Sequence, residues 1–309
     1  MDEVLAVCPV PIKNLLVGLP ASLKKNLEEV RIRIDRPLEV IAAGKPYYPE
    51  LANRMYIVSN EDASHLLNQL SQYSLYAFEE ELKQGYITIR GGHRVGLAGK
   101  VVVENGRVKA LRDISSYNIR IANQKVGVAE KIIPYIYDQG WLNTIIIGPP
   151  QTGKTTLLRD IARLISCGAP SLNIAPSKVG IVDERSEIAA SVRGIPQHQL
   201  GHRVDVLDGC PKAEGMMMLI RSMSPDVIIV DEIGRKEDGE AINEAINAGV
   251  KIITTAHGHN MEEIEQRPTI QPIVASNAFQ RSIELTRRET AGKIRRIRNH
   301  IQKDVVKSS

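Results

Sequence analysis

The stretch "GPPQTGKTT", residues 148–156, constrains this chain more than any other feature of its sequence. It matches the pattern G-x-x-x-x-G-K-[ST] and lies between the apolar run "NTIII" and the helical pattern "KTTLLRDIARLIS". A glycine-rich loop between a strand and a helix is the context in which this pattern binds phosphate. The alternative is a chance match in a surface loop, and the flanking strand and helix argue against it.

The residue types of this loop suit a nucleoside triphosphate with a divalent cation. Gly148 and Gly153 let the backbone curl so that its N–H groups and the helix N-terminus point at phosphate oxygens. Lys154 can reach the β and γ phosphates, and the Thr155 hydroxyl can bind Mg²⁺. The loop therefore predicts a site for ATP and Mg²⁺, with nucleotide-binding residues Gly148, Pro149, Pro150, Gln151, Thr152, Gly153, Lys154, Thr155 and Thr156.

Short, wholly apolar runs alternate with helical patterns after residue 139. The runs are "TIIIG" (144–148), "VGIVD" (179–183), "DVIIVD" (226–231) and "VKIITTA" (250–256). Strands that are apolar on both faces indicate a parallel sheet covered by helices on both sides. This half of the chain is therefore predicted to be an α/β domain.

The N-terminal part reads instead as a smaller α+β module. Strand patterns at 29–34 and 38–44, a helical pattern at 60–72 and the alternating stretch "GYITIRGGHRVGLAGKVVVENGRVKAL" indicate an antiparallel sheet with a helix. Residues 128–141 have helical periodicity despite Pro134. The predicted domains are residues 1–122, a linker or helix at 123–138, and an ATPase domain at 139–309 that ends in a basic β-hairpin.

Acidic residues and a histidine follow the predicted strands. Asp231 is suited to the Mg²⁺ shell, and Glu232 to polarising an attacking water. Strands of a parallel sheet end on the same side, so Asp183, Glu184, Glu187 and His257 are expected to converge on the phosphate site as well. For these four residues helix caps and structural hydrogen bonds are an equally good reading.

Composition limits the location and class of the protein. Apolar residues make up 43% and charged residues 25%, which is ordinary for a globular protein. Three distant cysteines, no basic segment before an apolar N-terminal run and no apolar stretch of about 18–20 residues favour a cytoplasmic protein that can still dock at a membrane.

The C-terminal segment is locally basic. Residues 287–307 contain eight Lys or Arg against Glu289 and Asp304, a local balance of +6. Such a segment can bind nucleic acid or anionic lipid. We favour the plainer interpretation of a solvated hairpin edge, with the strands "RSIELTRR" and "KIRRIRNH" joined by "ETAG", because charged edge strands discourage sheet pairing.

The order of motifs resembles the ATPases of type II and type IV secretion systems. In that family a P-loop is followed by an acidic box, here "IVDERSE", by a Walker B segment, here "RSMSPDVIIVDEIGR", and by a His box, here "TTAHG". The N-terminal "RIRIDRPLEV" is similar to the domain that precedes the motor, and "GGHRVGLAGK" is similar to the sporulation ATPase of endospore-forming bacteria. The resemblance implies a RecA/AAA-like P-loop ATPase.

Carried over to this sequence, the family pattern gives Lys154 and Thr155 to phosphate and Mg²⁺, Asp231 and Glu232 to Walker B, and His257 to the His box. Asp183, Glu184 and Glu187 form the acidic box. Secretion ATPases commonly have Gly-Glu where this chain has Asp231-Glu232, so the division of catalysis between Glu232 and the acidic box is open. The family also uses N-terminal arginines against the nucleotide, and the candidates here are Arg94, Arg112 and Arg120.

The resemblance further implies a homo-hexamer that hydrolyses ATP and acts on an inner-membrane platform protein. For a sporulation protein this would be a channel between mother cell and forespore, with the ATPase docked on the mother-cell side. Two alternatives are a nucleic-acid-binding P-loop ATPase and a scaffold that binds nucleotide without hydrolysing it. Aromatic residues total 4%, which makes base stacking and hence nucleic acid less favoured.

Overall fold

The computed structural model describes residues 1–71, 85–104, 106–286 and 292–307. The chain divides into two compact units, Met1–Asn123 and Gln124–Ser309. In the part of the chain that is described, no helix is both long and apolar enough to cross a membrane.

The first unit is built on a six-stranded antiparallel sheet. The strands of this unit are β1 Leu27–Arg33, β2 Glu39–Ala42, β3 Lys45–Tyr47, β4 Glu50–Leu51, β5 Arg54–Met55, β6 Tyr86–Ile89, β7 His93–Glu104 and β8 Arg107–Arg120. The strand order of the sheet is β3-β2-β1-β8-β7-β6, and a separate two-stranded ribbon pairs β4 with β5. The helices are α1 Asp2–Val7, α2 Val10–Val17, α3 Ala21–Lys25 and α4 Asn60–Ser71.

Helix α4 shows how this unit closes its core. Ala63, Leu66 and Leu70 recur on one face and are buried in the same cluster as the inner residues of the sheet. Ser59 and Asp62 form a reciprocal cap, in which the Ser59 N–H donates to Asp62 at 3.0 Å and the Asp62 N–H donates to the Ser59 hydroxyl at 3.1 Å. The predicted strands and helix of this module are confirmed, while Gln72 of the predicted helix and Asn105 of the predicted "ENG" turn lie outside the described residues.

The second unit contains a mixed eight-stranded sheet. Its strands are β9 Thr144–Ile147, β10 Val179–Asp183, β11 Val204–Asp208, β12 Val227–Val230, β13 Lys251–Ala256, β14 Arg281–Thr286, β15 Lys293–Asn299 and β16 Asp304–Lys307. Their order is β11-β10-β12-β13-β9-β14-β15-β16. The first six strands in this order pair in parallel, and β15 and β16 are antiparallel. The helices are α5 Ile133–Ile136, α6 Lys154–Cys167, α7 Lys212–Ser222, α8 Lys236–Asn247, α9 Met261–Glu265 and α10 Gln271–Ala275.

The α/β fold class is confirmed, with each predicted apolar run in a buried strand. The helix predicted over 128–141 is wrong in extent, because only α5 is helical there. Pro134 stands at the start of α5 and cannot continue a helix that precedes it, since its ring lacks the N–H and clashes with the preceding turn.

The basic C-terminal segment is not simply a solvated edge. Strand β14 lies inside the sheet beside β9, and β16 is the outer strand. Glu284 on β14 is fully buried, with Arg296 Nε 3.0 Å from its carboxylate and Arg298 Nη1 at 3.9 Å. Burial raises the pKa of Glu284, against the lowering effect of the Met261 N–H and Arg298. Arg287, Arg288 and "ETA" of the predicted turn lie outside the described residues.

Gly168 ends the P-loop helix α6 in a conformation that only glycine adopts easily. Its φ is +75°, and a Cβ there would lie 2.7 Å from the Ile174 carbonyl oxygen and 2.9 Å from the Pro176 nitrogen. Gly249, just after α8, has a similar φ of +82° but no neighbour within 4 Å. A side chain at Gly168 would therefore cause both backbone strain and steric crowding, whereas a side chain at Gly249 would cause backbone strain alone.

We expect Gly168→Ala to lower the free energy of unfolding by about 2–4 kcal/mol, because left-handed strain and overpacking add. Gly249→Ala should cost about 1–2 kcal/mol from strain alone. Urea denaturation of the two variants measures the difference. Equal losses would show that the backbone around Ile174 and Pro176 relaxes freely.

Candidate functional site

The loop between β9 and α6 has the shape that its sequence predicts. Gly153 has φ +84° and stands at the N-cap of α6, so the chain turns sharply into the helix. Gly148 has no room for a side chain, because a Cβ would lie 2.5 Å from the Thr152 hydroxyl and 3.2 Å from Leu285 Cβ. The buried Thr152 hydroxyl donates to the Pro149 carbonyl at 2.7 Å and closes the loop on itself.

Lys154 lies buried beneath this loop. Its ammonium donates to the carbonyls of Gly148 at 2.7 Å and Pro149 at 3.1 Å, and it lies 3.0 Å from His257 Nδ1. Burial lowers the pKa of Lys154, and the negative charges of Asp231 and Glu232 oppose that shift. The Lys154 ammonium is therefore held beneath the loop that the sequence predicts to bind phosphate.

Asp231 joins the first turn of α6 to strand β13. The Thr155 hydroxyl donates to Asp231 Oδ2 at 2.7 Å, and the Thr255 hydroxyl donates to Oδ1. Thr255 also accepts the Glu232 N–H at 2.8 Å. Our sequence reasoning missed Thr255, although this residue lies within the quoted segment "TTAHG", two positions before His257.

Glu232 is held from two sides. Its backbone has φ +52°, which is rare for a residue with a side chain. One carboxylate oxygen lies 3.1 Å from His257 Nε2, and the other accepts from Arg185 Nη1 at 2.6 Å. Since His257 also contacts Lys154, one imidazole connects the phosphate-loop cation to Glu232. Arg185 was not among the sequence candidates.

Asp183 organises the loop that follows β10. Its buried carboxylate accepts the N–H groups of Glu187 at 2.8 Å, Ile188 at 3.0 Å and Ala189 at 2.8 Å. Burial raises the pKa of Asp183, and these three hydrogen bonds oppose the rise. The geometry gives Asp183 the task of holding residues 184–189 in place.

The other two acids of the box, Glu184 and Glu187, lie on this loop and line a cleft together with Asp183. Glu184 pairs with Lys212 at the start of α7, and although burial raises the pKa of Glu184, the Lys212 hydrogen bond and charge give a net lowering. The Glu187 carbonyl accepts from Arg159 of α6 at 2.6 Å. The cleft is lined by Asp183, Glu184, Arg185, Glu187, Lys212, Asp231 and Glu232.

The three arginine candidates belong to the sheet of the first unit. Arg94 on β7 stacks over the Tyr86 ring, with 4.7 Å from its guanidinium carbon to the ring centre, and pairs in register with Arg120 on β8. Arg112 and Arg120 are exposed. Their contact with a nucleotide stays a prediction.

Among the described residues, no three His, Cys, Asp or Glu side chains are grouped to hold a metal ion by themselves. Thr155 and Asp231 form a smaller donor set, and Mg²⁺ at nucleotide sites is usually bound by one or two protein groups plus phosphate oxygens and water. These two residues therefore fit Mg²⁺ that arrives with a nucleotide.

Solved structures of ATPases share this fold. The X-ray structure of the Legionella pneumophila ATPase DotB aligns with 89% of this chain and 76% of its own, with a TM-score of 0.57 and 19% sequence identity. The pilus retraction motor PilT, solved with bound ADP, aligns over 85% and 75% of the two chains, with a TM-score of 0.57 and 16% identity. The chain thus has the RecA-like fold of this class of P-loop ATPases.

Sequence comparison gives the family. A family model described as "Sporulation stage III, protein AA" matches residues 2–305. Stage III sporulation protein AA of Bacillus subtilis (strain 168) is 57% identical over 297 residues, which are 96% of this chain and 94% of that protein. The chain belongs to the stage III sporulation protein AA family.

We expect Asp183→Asn to lower the free energy of unfolding by about 1–3 kcal/mol, because an amide group replaces an oxygen that faces backbone N–H donors. The control is Asp226→Asn, since Asp226 accepts one N–H, that of Lys178 at 2.7 Å, in an exposed position. That change should cost less than about 0.5 kcal/mol. Urea denaturation compares the two, and equal effects would remove the loop-holding role of Asp183.

Proposed function

We propose that the chain is an ATP-hydrolysing motor of sporulation. The observation that carries the proposal is the convergence of Lys154, Thr155, Asp231, Glu232 and His257 at the carboxyl edge of neighbouring parallel strands. These are the groups that phosphoryl transfer to water needs: a cation that binds the phosphates, a site for Mg²⁺ and a carboxylate that polarises the attacking water.

Each residue has a defined part in this proposal. The N–H groups of residues 148–156 and Lys154 bind the phosphates, and Lys154 exchanges its contacts with the Gly148 and Pro149 carbonyls for phosphate oxygens. Thr155 and Asp231 hold Mg²⁺, which supplies charge neutralisation when it is bound. Glu232 orients water, and His257 links it to Lys154.

The acidic box supports this centre. Asp183 holds its loop in place, and Glu184 and Glu187 act from the wall of the cleft. Hydrolysis would then remove the charge of the γ-phosphate from the space between Lys154 and Glu232. Loss of this phosphate can change the position of the loops that contact it. Arg94, Arg112 and Arg120 would sense the nucleotide from residues 1–122, joined through 123–138 to the motor of residues 139–309.

The assembly that we propose follows the family resemblance. The chain would form a homo-hexamer in the cytoplasm, docked on the mother-cell side of the forespore membrane through an inner-membrane platform protein. There it would drive assembly of, or export through, a secretion-like channel. Arg296 and Arg298 of the basic segment pair with Glu284, Glu262 and Asp304, which disfavours nucleic acid as the partner.

The first experiment measures the steady-state ATPase rate against protein concentration, with the oligomer mass determined in parallel. We expect the rate per subunit to rise as oligomers form. Lys154→Ala should abolish nucleotide binding, and Glu232→Gln should lower kcat by about 10²–10⁴-fold while nucleotide still binds. Glu265→Gln, an exposed site on α9, is the isosteric control and should match the parent.

A rate near background that none of these variants changes would contradict the motor. If Glu232→Gln leaves both assembly and function in sporulating cells intact, the chain is a nucleotide-dependent scaffold. An ATPase rate that requires added nucleic acid would indicate a nucleic-acid-binding P-loop ATPase.

A second experiment tests the Mg²⁺ site through Thr255. Thr255→Val keeps the shape but leaves one Asp231 oxygen and the Glu232 N–H without their hydroxyl partner. Removing a group that orients a metal ligand typically weakens metal binding about 10–100-fold, so the Mg²⁺ concentration for half-maximal ATPase should rise by that factor. Thr255→Ser retains the hydroxyl and should stay close to the parent, whereas equal Mg²⁺ curves for both variants would argue against the proposed shell.

A further inference from the structure

Helices α7 and α8 lie side by side on one face of the second sheet. Met216 and Leu219 of α7 and Ile242 and Ala245 of α8 are buried in one cluster with residues of β12 and β13. Gly215 brings α7 close to the sheet, since a Cβ there would lie 2.4 Å from Val182 Cγ1. The sides of α7 and α8 that face away from the sheet together form a surface of the second unit.

This surface contains a groove of about 430 Å³. Its apolar lining is formed by Ala213, Met217, Met218 and Ala241. Met218 is 51% exposed, and Met223, just beyond the end of α7, is 43% exposed. Methionine side chains are flexible and polarisable, and they are common where a surface adapts to apolar side chains of a partner.

The rim of the groove is acidic. Glu237, Glu240 and Glu244 follow each other at three- and four-residue spacing along α8, and Glu214 faces them from α7. With Arg221 as the basic member, the lining has an excess of three negative charges. The Lys236 ammonium lies 3.3 Å from Glu240, but both side chains are largely exposed, so solvent weakens that pair.

We propose that this groove binds a basic amphipathic helix of a partner protein. The apolar side of such a helix would cover Met217 and Met218, and its Lys or Arg side chains would meet the four glutamates. Grooves between two helices bind amphipathic helices in this way. The acidic rim repels nucleic acid and anionic lipid, and it selects a positively charged protein segment.

The two helices of the groove also begin close to the cleft of the candidate site. Lys212, the first residue of α7, pairs with Glu184, and α8 begins four residues after Glu232. The proposal itself does not depend on ATP hydrolysis, because it rests on the shape and charge of the helices. It places the partner on helices whose first turns reach the residues of the cleft.

The test uses the full chain and two fluorescein-labelled 18-residue amphipathic peptides, one built of Leu and Lys and one of Leu and Glu. Fluorescence anisotropy should show binding of the Lys peptide that weakens as salt is raised. The triple variant Glu237→Lys/Glu240→Lys/Glu244→Lys should weaken the Lys peptide at least tenfold and gain affinity for the Glu peptide. The double variant Met217→Gln/Met218→Gln should weaken the Lys peptide about threefold or more without changing its salt dependence.

The control variant Glu61→Lys/Glu130→Lys/Glu265→Lys makes the same change in net charge at exposed sites elsewhere. It should bind the Lys peptide almost as the parent does, and urea denaturation confirms that each variant is folded. Equal weakening by the control, or no binding by the parent, would overturn the proposal. Dissociation of oligomers by the groove variants, without any effect on the peptide, would assign the groove to contacts between copies of the chain and overturn it as well.

Discussion

The hydrogen bonds of Asp231 are the interaction on which the arrangement of the site depends. One oxygen of Asp231 binds Thr155 at the start of α6 and the other binds Thr255 on β13. Three elements that are separated in sequence are thereby fixed at one edge of the sheet. Thr255 accepts the Glu232 N–H in addition, so the position of Glu232 follows from the same bonds. The buried strands bring the backbone ends together, and these side chains define their final geometry.

Sequence alone predicts those parts of the molecule whose signal is contiguous. The loop at 148–156, the apolar strands and the acids after β12 each carry their pattern within a few residues, and the fold class follows from their alternation. Thr255 and Arg185 were missed because their importance comes from partners distant in sequence, Asp231 and Glu232. Pro134 explains the failed helix at 128–141, where a local backbone constraint overrode an apolar period.

The C-terminal strands show a second limit of sequence reasoning. Charge density suggested a solvated edge, yet Glu284 is buried on β14 and several arginines from β15 surround it. A buried carboxylate is tolerated only when compensating charges and hydrogen bonds accompany it. Whether a run of arginines faces solvent or a buried acid is decided by strand order, which composition does not contain. Here β14 pairs with β9, the strand that leads into the phosphate loop.

Any anion that enters the loop has to replace contacts that Lys154 already makes. Two carbonyl oxygens and one imidazole nitrogen already surround the ammonium, so an incoming oxygen replaces a good acceptor and not bulk water. A single weak acceptor gains little from such an exchange. A ligand that brings several phosphate oxygens at once can satisfy the lysine and the loop N–H groups together. Such a ligand would therefore compensate the buried lysine more fully than a small anion would.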